Sequence, residues 1–131
     1  SSAASDVYKR QAHAEMYELL RQYRPRGVLH CYSGSAEDAA WLTAQGMALG
    51  FGGAVTYKGA KRAAKVLAMV PHELAVLETD CPYMSPEPVR GTRNDSRNIA
   101  HVAAYIGTIG DMDAQAVLDQ TAQNAKACFG V

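Results

Sequence analysis

Short apolar runs alternate with longer segments of helical periodicity along most of this chain. Runs with strand character occur in VLHCYSG, in MALGFGG and at residues 74–79, and apolar residues at helical spacing precede, separate and follow them. The resulting order, α-βα-βα-β-αα, predicts parallel strands joined by right-handed crossovers. Three strands leave two open edges and much apolar surface to cover. We therefore expect part of a larger α/β unit, such as a piece of a barrel.

Capping and breaking residues predict where the helices begin and end. Ser35, with Asp38 three residues later, resembles a capping box, and it opens a helix that Gly46 closes. Pro71 ends the next helix ahead of the third strand. Three helical segments follow from the same reasoning: Lys58–Met69, Ser96–Ile109 and Asp113–Phe129, with Asp113 as an N-cap.

Residues 1–9 differ from the rest of the chain. They are rich in Ser and Ala and show no apolar periodicity, so we expect a disordered or non-native leader there and one domain at 10–131. With 131 residues and 48% hydrophobic content, the chain is long enough for one globular domain.

Charge and cysteine content limit the function. Thirteen basic and thirteen acidic residues give a net charge of zero, which argues against a polybasic nucleic-acid or membrane binder, so a polyanionic substrate has to be held locally. There is no membrane-length apolar run and no signal peptide, and three widely spaced cysteines favour reduced thiols. These features predict a cytoplasmic protein without membrane contact.

Polar residues and glycines mark the ends of all three predicted strands. His30 ends the first, Gly50–Gly53 end the second, and Glu78 and Asp80 end the third in LETDCPY. Parallel strands lie ~4.8 Å apart, so the backbones at His30 and Asp80 are about 10 Å apart and their side chains can share a metal. Imidazole and carboxylate groups suit zinc, manganese or magnesium. A hydrogen-bonded core histidine and a solvated loop carboxylate remain the alternatives.

Two neighbouring features have structural explanations. The glycines in GFGG do not have GxGxxG spacing, so they predict room near a metal or a tight strand exit rather than a nucleotide cofactor. Cys31 follows His30 and is expected on the opposite face of the strand, which favours packing over ligation.

Four motifs, in register, resemble the TatD family of metal-dependent hydrolases. They are HCYSGSAEDA, GFGGAVTYK, LAVLETDCPYMSPEPVRGTRN and TAQNAKACFG, and the likeness runs from about Arg10 to Val131. The resemblance implies a (β/α)8 barrel of the TIM type, of the amidohydrolase-like kind, of which this chain is the C-terminal part with about three strands and flanking helices. It also implies a divalent metal centre, with two ions in the complete enzyme, and hydrolysis of DNA phosphodiester bonds from the 3′ end.

The resemblance also implies roles for individual residues. His30 and Asp80 match metal ligands, and Asp80 can also take a proton from the attacking water. Glu78, two positions earlier, is expected to orient Asp80 or the water. For substrate binding we name three residues: Arg90, Arg93 and Ser33. The two arginines either clamp phosphate oxygens or are exposed cations of a loop. Ser33 either binds phosphate or belongs to the turn before a helix, and we slightly favour the turn.

The chain also departs from the family pattern. Complete members carry an HxH pair, a glutamate and another histidine on earlier strands, and none of these is present here. Two ligands do not fix a catalytic metal that needs three or more, so we expect an incomplete C-terminal fragment. The alternatives are a related hydrolase of an amide, ester or aminoacyl-nucleic-acid bond, and an inactive half-barrel that self-associates through open sheet edges.

Overall fold

The computed structural model describes the backbone of residues 2–131 and the side chains of residues 11–131. Within the described backbone there are five α-helices: α1 (Ser2–Tyr23), α2 (Ala36–Ala44), α3 (Lys61–Met69), α4 (Ile99–Gly110) and α5 (Ala114–Phe129). The same range contains three strands: β1 (Val28–Leu29), β2 (Ala48–Phe51) and β3 (Ala75–Leu77). Short 3₁₀ helices lie at Gly53–Thr56, His72–Leu74 and Ser96–Asn98. The predicted order of elements is confirmed.

The three strands form one parallel sheet in the order β1-β2-β3. Leu49 of β2 lies level with Leu29 of β1 and with Ala75 of β3, so all three strands end at the same edge. Beyond that edge, one further backbone hydrogen bond lies on each side of β2. The N–H of Tyr32 donates to the carbonyl oxygen of Gly50, and the N–H of Glu78 donates to that of Phe51. The segments that follow the strands, 30–35, 52–60 and 78–95, therefore share one edge of the sheet.

Helices cover the sheet and pack against one another in chain order. α2 contacts β2 and α5 contacts β3, while α2–α3, α3–α4 and α4–α5 are packed as neighbours. The largest fully buried side chains lie between the sheet and these helices: Phe51, Leu42, Leu49, Val66 and Val102. Burying such side chains, at about 1.5–3 kcal/mol each, is the main stabilising term of this arrangement.

Element ends differ from the sequence-based expectation where local backbone geometry decides. α3 begins at Lys61 rather than Lys58 because Gly59 has a left-handed φ of 96°, which interrupts a right-handed helix. β3 ends at Leu77 rather than residue 79, since Asp80 also adopts a left-handed φ, of 55°. The capping Ser35 is confirmed, because its Oγ accepts the N–H of Asp38 at 3.0 Å.

The segment 1–9, expected to be a disordered or non-native leader, lies outside the residues whose side chains are described. The backbone of α1 includes residues 2–9, and their origin stays a prediction. Among the described residues, no helix combines the length and the apolar character needed to cross a membrane.

Candidate metal centre

The shared strand edge brings His30, Glu78 and Asp80 together. His30 follows β1 directly, and the two carboxylates follow β3. Nε2 of His30 lies 3.4 Å from Oδ1 of Asp80, and Nδ1 lies 2.8 Å from Oε2 of Glu78. The expected convergence of His30 and Asp80 across the sheet is present, although the two residues are separated by the whole width of β2.

The carboxylate of Glu78 holds the imidazole of His30 in one orientation. Its Oε2 accepts a hydrogen bond from Nδ1 of His30 and another, of 3.0 Å, from the backbone N–H of Cys31. An ionised carboxylate only accepts hydrogen bonds, so Nδ1 of His30 is the donor in this contact, and in the neutral imidazole the lone pair is then on Nε2. Histidine metal ligands are commonly oriented in this way. The sequence predicted that Glu78 orients Asp80 or a water, whereas the structure places its carboxylate on His30.

Gly50 makes this contact possible. β2 lies between β1 and β3, so the Glu78 side chain has to pass over β2 to reach His30. A Cβ atom at position 50 would overlap Oε2 of Glu78, and one at Gly52 would lie 3.2 Å from the Glu78 carbonyl oxygen. The glycines of GFGG therefore provide room for the Glu78 carboxylate, in agreement with the sequence-based interpretation that they leave space near the site.

The donor set fits part of a divalent metal site. His30 Nε2 and Asp80 Oδ1 approach each other and are accessible, with side chains 62% and 44% exposed. The other oxygen of Glu78, Oε1, is buried and has no hydrogen-bond partner among the described residues. Across residues 11–131, no set of three or more His, Cys, Asp or Glu side chains is arranged to hold a metal ion. His30 and Asp80 are thus two candidate donors, which stay a prediction as metal ligands, and further donors have to come from elsewhere.

The turn that presents Asp80 is held by a buried asparagine that sequence reasoning missed. Asn94 is 2% exposed, and its Nδ2 donates to the carbonyl oxygens of Thr79 and Tyr83, each at 2.7 Å. Its Oδ1 accepts a hydrogen bond of 2.9 Å from Asn98, which fixes the orientation of the amide. The two carbonyl groups flank Asp80, so Asn94 positions the carboxylate. The only signal in the sequence is that Asn94 directly follows the RGTR stretch of the Pro-rich loop.

The three residues predicted to bind substrate lie on segments at the same sheet edge. The guanidinium of Arg90 stacks over the ring of Tyr57 at 3.9 Å, which fixes its position and leaves its edge free to donate. Arg93 is exposed on the same loop. Ser33 lies in the segment between β1 and α2. The hydroxyl that caps α2 is that of Ser35, so Ser33 is not the capping residue.

The thiol of Cys31 lies next to the three site residues. Burial, and then the negative charges of Glu78 and Asp80, raise the pKa of this thiol. Cys31 is half-buried and has a left-handed φ of 48°, so it is part of the turn after β1 rather than of the strand. A neutral thiol is a poor metal ligand. The expected position of Cys31 on the opposite face of a strand is wrong, because the residue belongs to the turn after β1, and its packing role stays a prediction.

The chain matches the model of the family described as TatD related DNase over residues 6–130. The chain belongs to this family. Two similar proteins are the uncharacterized metal-dependent hydrolases YabD of Bacillus subtilis and YcfH of Escherichia coli, which are 33% and 30% identical to it over 95% of its length. The chain spans about half of these TatD relatives, 50% and 48% respectively.

A solved TatD structure has the same fold. The crystal structure of YjjV, a TatD homologue from Escherichia coli K12, superimposes with a TM-score of 0.81 and 29% identity, covering 91% of this chain and 47% of that one. The expected fold class is confirmed: this TatD-family chain has the three parallel strands and flanking helices of part of a TIM-type, amidohydrolase-like barrel.

Proposed function

We propose that this chain carries part of the active site of a divalent-metal-dependent hydrolase that cleaves DNA phosphodiester bonds from the 3′ end. The observation that carries the proposal is the bond between Glu78 and Nδ1 of His30, which turns Nε2 of His30 toward Asp80. A histidine oriented by a carboxylate next to a free carboxylate is an arrangement suited to metal binding. The family description, TatD related DNase, supports DNA as the substrate.

His30 and Asp80 are the residues that would hold the metal, whether magnesium, manganese or zinc. A divalent ion in such a site lowers the pKa of water and polarises a phosphoryl oxygen. The Asp80 carboxylate, which is accessible, accepts the proton of the attacking water. Glu78 keeps His30 in the tautomer that leaves Nε2 free. Arg90, held against Tyr57, donates to phosphate oxygens together with Arg93 and Ser33.

Metal titration tests the metal-binding half of the proposal. We expect calorimetry with Mn²⁺ or Zn²⁺ to show binding that is lost in His30→Gln and Asp80→Asn. Glu78→Gln should weaken it by about 10- to 100-fold, the usual effect of removing a group that orients a ligand. Asp119→Asn, which removes an exposed carboxylate on α5, is the matched control. Equal binding by all four variants would contradict the proposal.

Digestion of 3′-labelled single-stranded DNA tests the substrate. Because further metal donors have to come from another chain or copy, the supporting result is release of label that requires Mg²⁺, Mn²⁺ or Zn²⁺, stops in EDTA, and is lost in Asp80→Asn but not in Asp119→Asn. Hydrolysis of an amide, ester or aminoacyl-nucleic-acid substrate in place of DNA would overturn the phosphodiester assignment. Metal binding without hydrolysis of any substrate would mean that this chain is not active by itself. Sedimentation of the same sample shows whether copies associate through the outer strands β1 and β3 to supply further donors.

A further inference from the structure

A cavity of 310 Å³ lies against the segment that follows His30. One wall is the segment after β1, with Ser33 and Gly34, and the other is the start of α3, with Arg62, Ala63 and Val66. The volume is at the lower end of the ~300–1,000 Å³ range of small-molecule sites, so it suits one small unit rather than a polymer. The wall is mostly apolar, and Arg62 is the charged side chain that lines it.

The segment around this cavity is basic although the whole chain is neutral. Residues 58–65 contain four cations, Lys58, Lys61, Arg62 and Lys65, and residues 52–72 contain no carboxylate. Among residues 11–131, the ion pairs are those of Arg21, His30 and Arg97, so no described carboxylate neutralises Arg62. The guanidinium of Arg62 is exposed at the cavity and available to an anion.

The cavity and the cleft that contains His30 share the segment after β1 as a wall. Ser33 and Gly34 also line a smaller cleft, of 120 Å³, which includes His30 and, from α1, His13. Gly34 has to be small here, because a Cβ atom would lie 2.5 Å from the hydroxyl of Tyr32 and 2.8 Å from that of Tyr17. The larger cavity therefore lies across Ser33 and Gly34 from the cleft that contains His30.

We infer that this cavity binds the nucleotide unit next to the cleaved phosphodiester bond, with its phosphate on Arg62 and its sugar and base against Ala63 and Val66. This inference rests on the proposed function and adds a subsite to it. A nucleotide combines a compact anion with the flat face of a base, which packs against apolar side chains, and the cavity offers a cation beside an apolar wall. The guanidinium fork of Arg62 suits phosphate geometry, and Val66, 1% exposed, closes the apolar floor.

Binding in EDTA tests the subsite without any cleavage. The probe is a short fluorescein-labelled oligothymidylate, and fluorescence anisotropy gives its affinity at several salt concentrations. We expect Arg62→Ala to weaken binding by about 10-fold, the size of one charged hydrogen bond, and to reduce the salt slope by about 0.7, the contribution of one phosphate contact in a single strand. Arg62→Lys should restore the salt slope but not all of the affinity. Lys126→Ala, which removes one exposed cation on α5, should change neither quantity.

A second measurement does not depend on substitution. Thymidine monophosphate added to isotopically labelled protein in EDTA should shift the amide resonances of Gly34, Ala63 and Val66. Shifts confined to other regions, or equal losses in Arg62→Ala and Lys126→Ala, would overturn the subsite. If binding in EDTA depends on Arg62 but His30→Gln and Asp80→Asn bind metal as well as Asp119→Asn does, the proposed function fails and the subsite stands. If cleavage is found and Arg62 behaves like Lys126, the subsite alone fails.

Discussion

Oε2 of Glu78 lies 2.8 Å from Nδ1 of His30, although the two residues follow the two outer strands of the sheet. The carboxylate reaches His30 by crossing the central strand at Gly50, where there is no side chain to block it. This contact links three separate parts of the sequence in one site. It also determines which nitrogen of His30 faces Asp80.

Gly50→Ala should destabilise the chain by about 1–3 kcal/mol, because the new methyl group overlaps the Glu78 carboxylate in a packed site. Urea denaturation measures the change. Gly110→Ala is the matched control, since its nearest neighbours, side-chain atoms of Met112, are 4.0 Å away, and a stabilisation of at most about 1 kcal/mol is expected. In Glu78→Ala the Gly50→Ala substitution should cost much less. A purely additive double mutant would show that the two positions do not interact.

Asn94→Ala should cost about 2–3 kcal/mol, because the buried carbonyl groups of Thr79 and Tyr83 lose their donors. The free energy of unfolding measures this cost, and metal affinity should fall with it as the Asp80 turn loosens. Gln115→Ala is the control: its amide donates to Asp119 on an exposed helix face, a contact worth about 0.2–0.5 kcal/mol. Unchanged metal affinity in Asn94→Ala would show that Asn94 stabilises the loop without positioning Asp80.

Arg97→Ala should change how stability depends on acid pH. Arg97 donates two side-chain bonds and one backbone bond to Asp95, which lowers the pKa of Asp95 from 3.8 to about 2. Because this folded-state pKa lies below the ordinary value, ionised Asp95 stabilises the fold above pH 3.8, and the contribution is lost as the pH falls through about 2. Thermal unfolding of wild type and Arg97→Ala should therefore differ near neutral pH and converge in acid. A constant difference across that range would contradict the assignment.

Tyr32→Phe should remove a phenol that ionises at a higher pH than an ordinary tyrosine does. Burial, and then the neighbouring charges of Tyr17 and Asp38, raise the pKa of Tyr32 well above its ordinary value, and its hydroxyl donates to the Ser35 carbonyl at 2.6 Å. Since the folded-state pKa is raised, the stabilisation is present below the ordinary pKa of 10.0 and is lost as the pH rises toward the folded value. Phenolate absorbance, followed as the pH rises, measures the ionisation of Tyr32. Tyr83→Phe, which removes the hydroxyl of a 73% exposed tyrosine, should leave the high-pH ionisation of Tyr32 in place.

Sequence alone determined the order of the elements, the parallel sheet and the shared edge where His30 and Asp80 meet. These features follow from local apolar periodicity and from the geometry of parallel strands, which depend on neighbouring residues and on general rules. The resemblance in four motifs also determined the family. Sequence did not determine the element ends, because left-handed residues such as Gly59 and Asp80 interrupt patterns that apolar spacing would otherwise extend.

Only the tertiary structure decided how the site is held together. The contact between Glu78 and His30 spans 48 residues and needs an empty position at Gly50, and no local pattern encodes such a relationship. The same holds for Asn94, whose importance lies in two carbonyl groups that the folded loop brings to it. Directional contacts between distant segments depend on the packed backbone, so their partners become visible when the chain is folded.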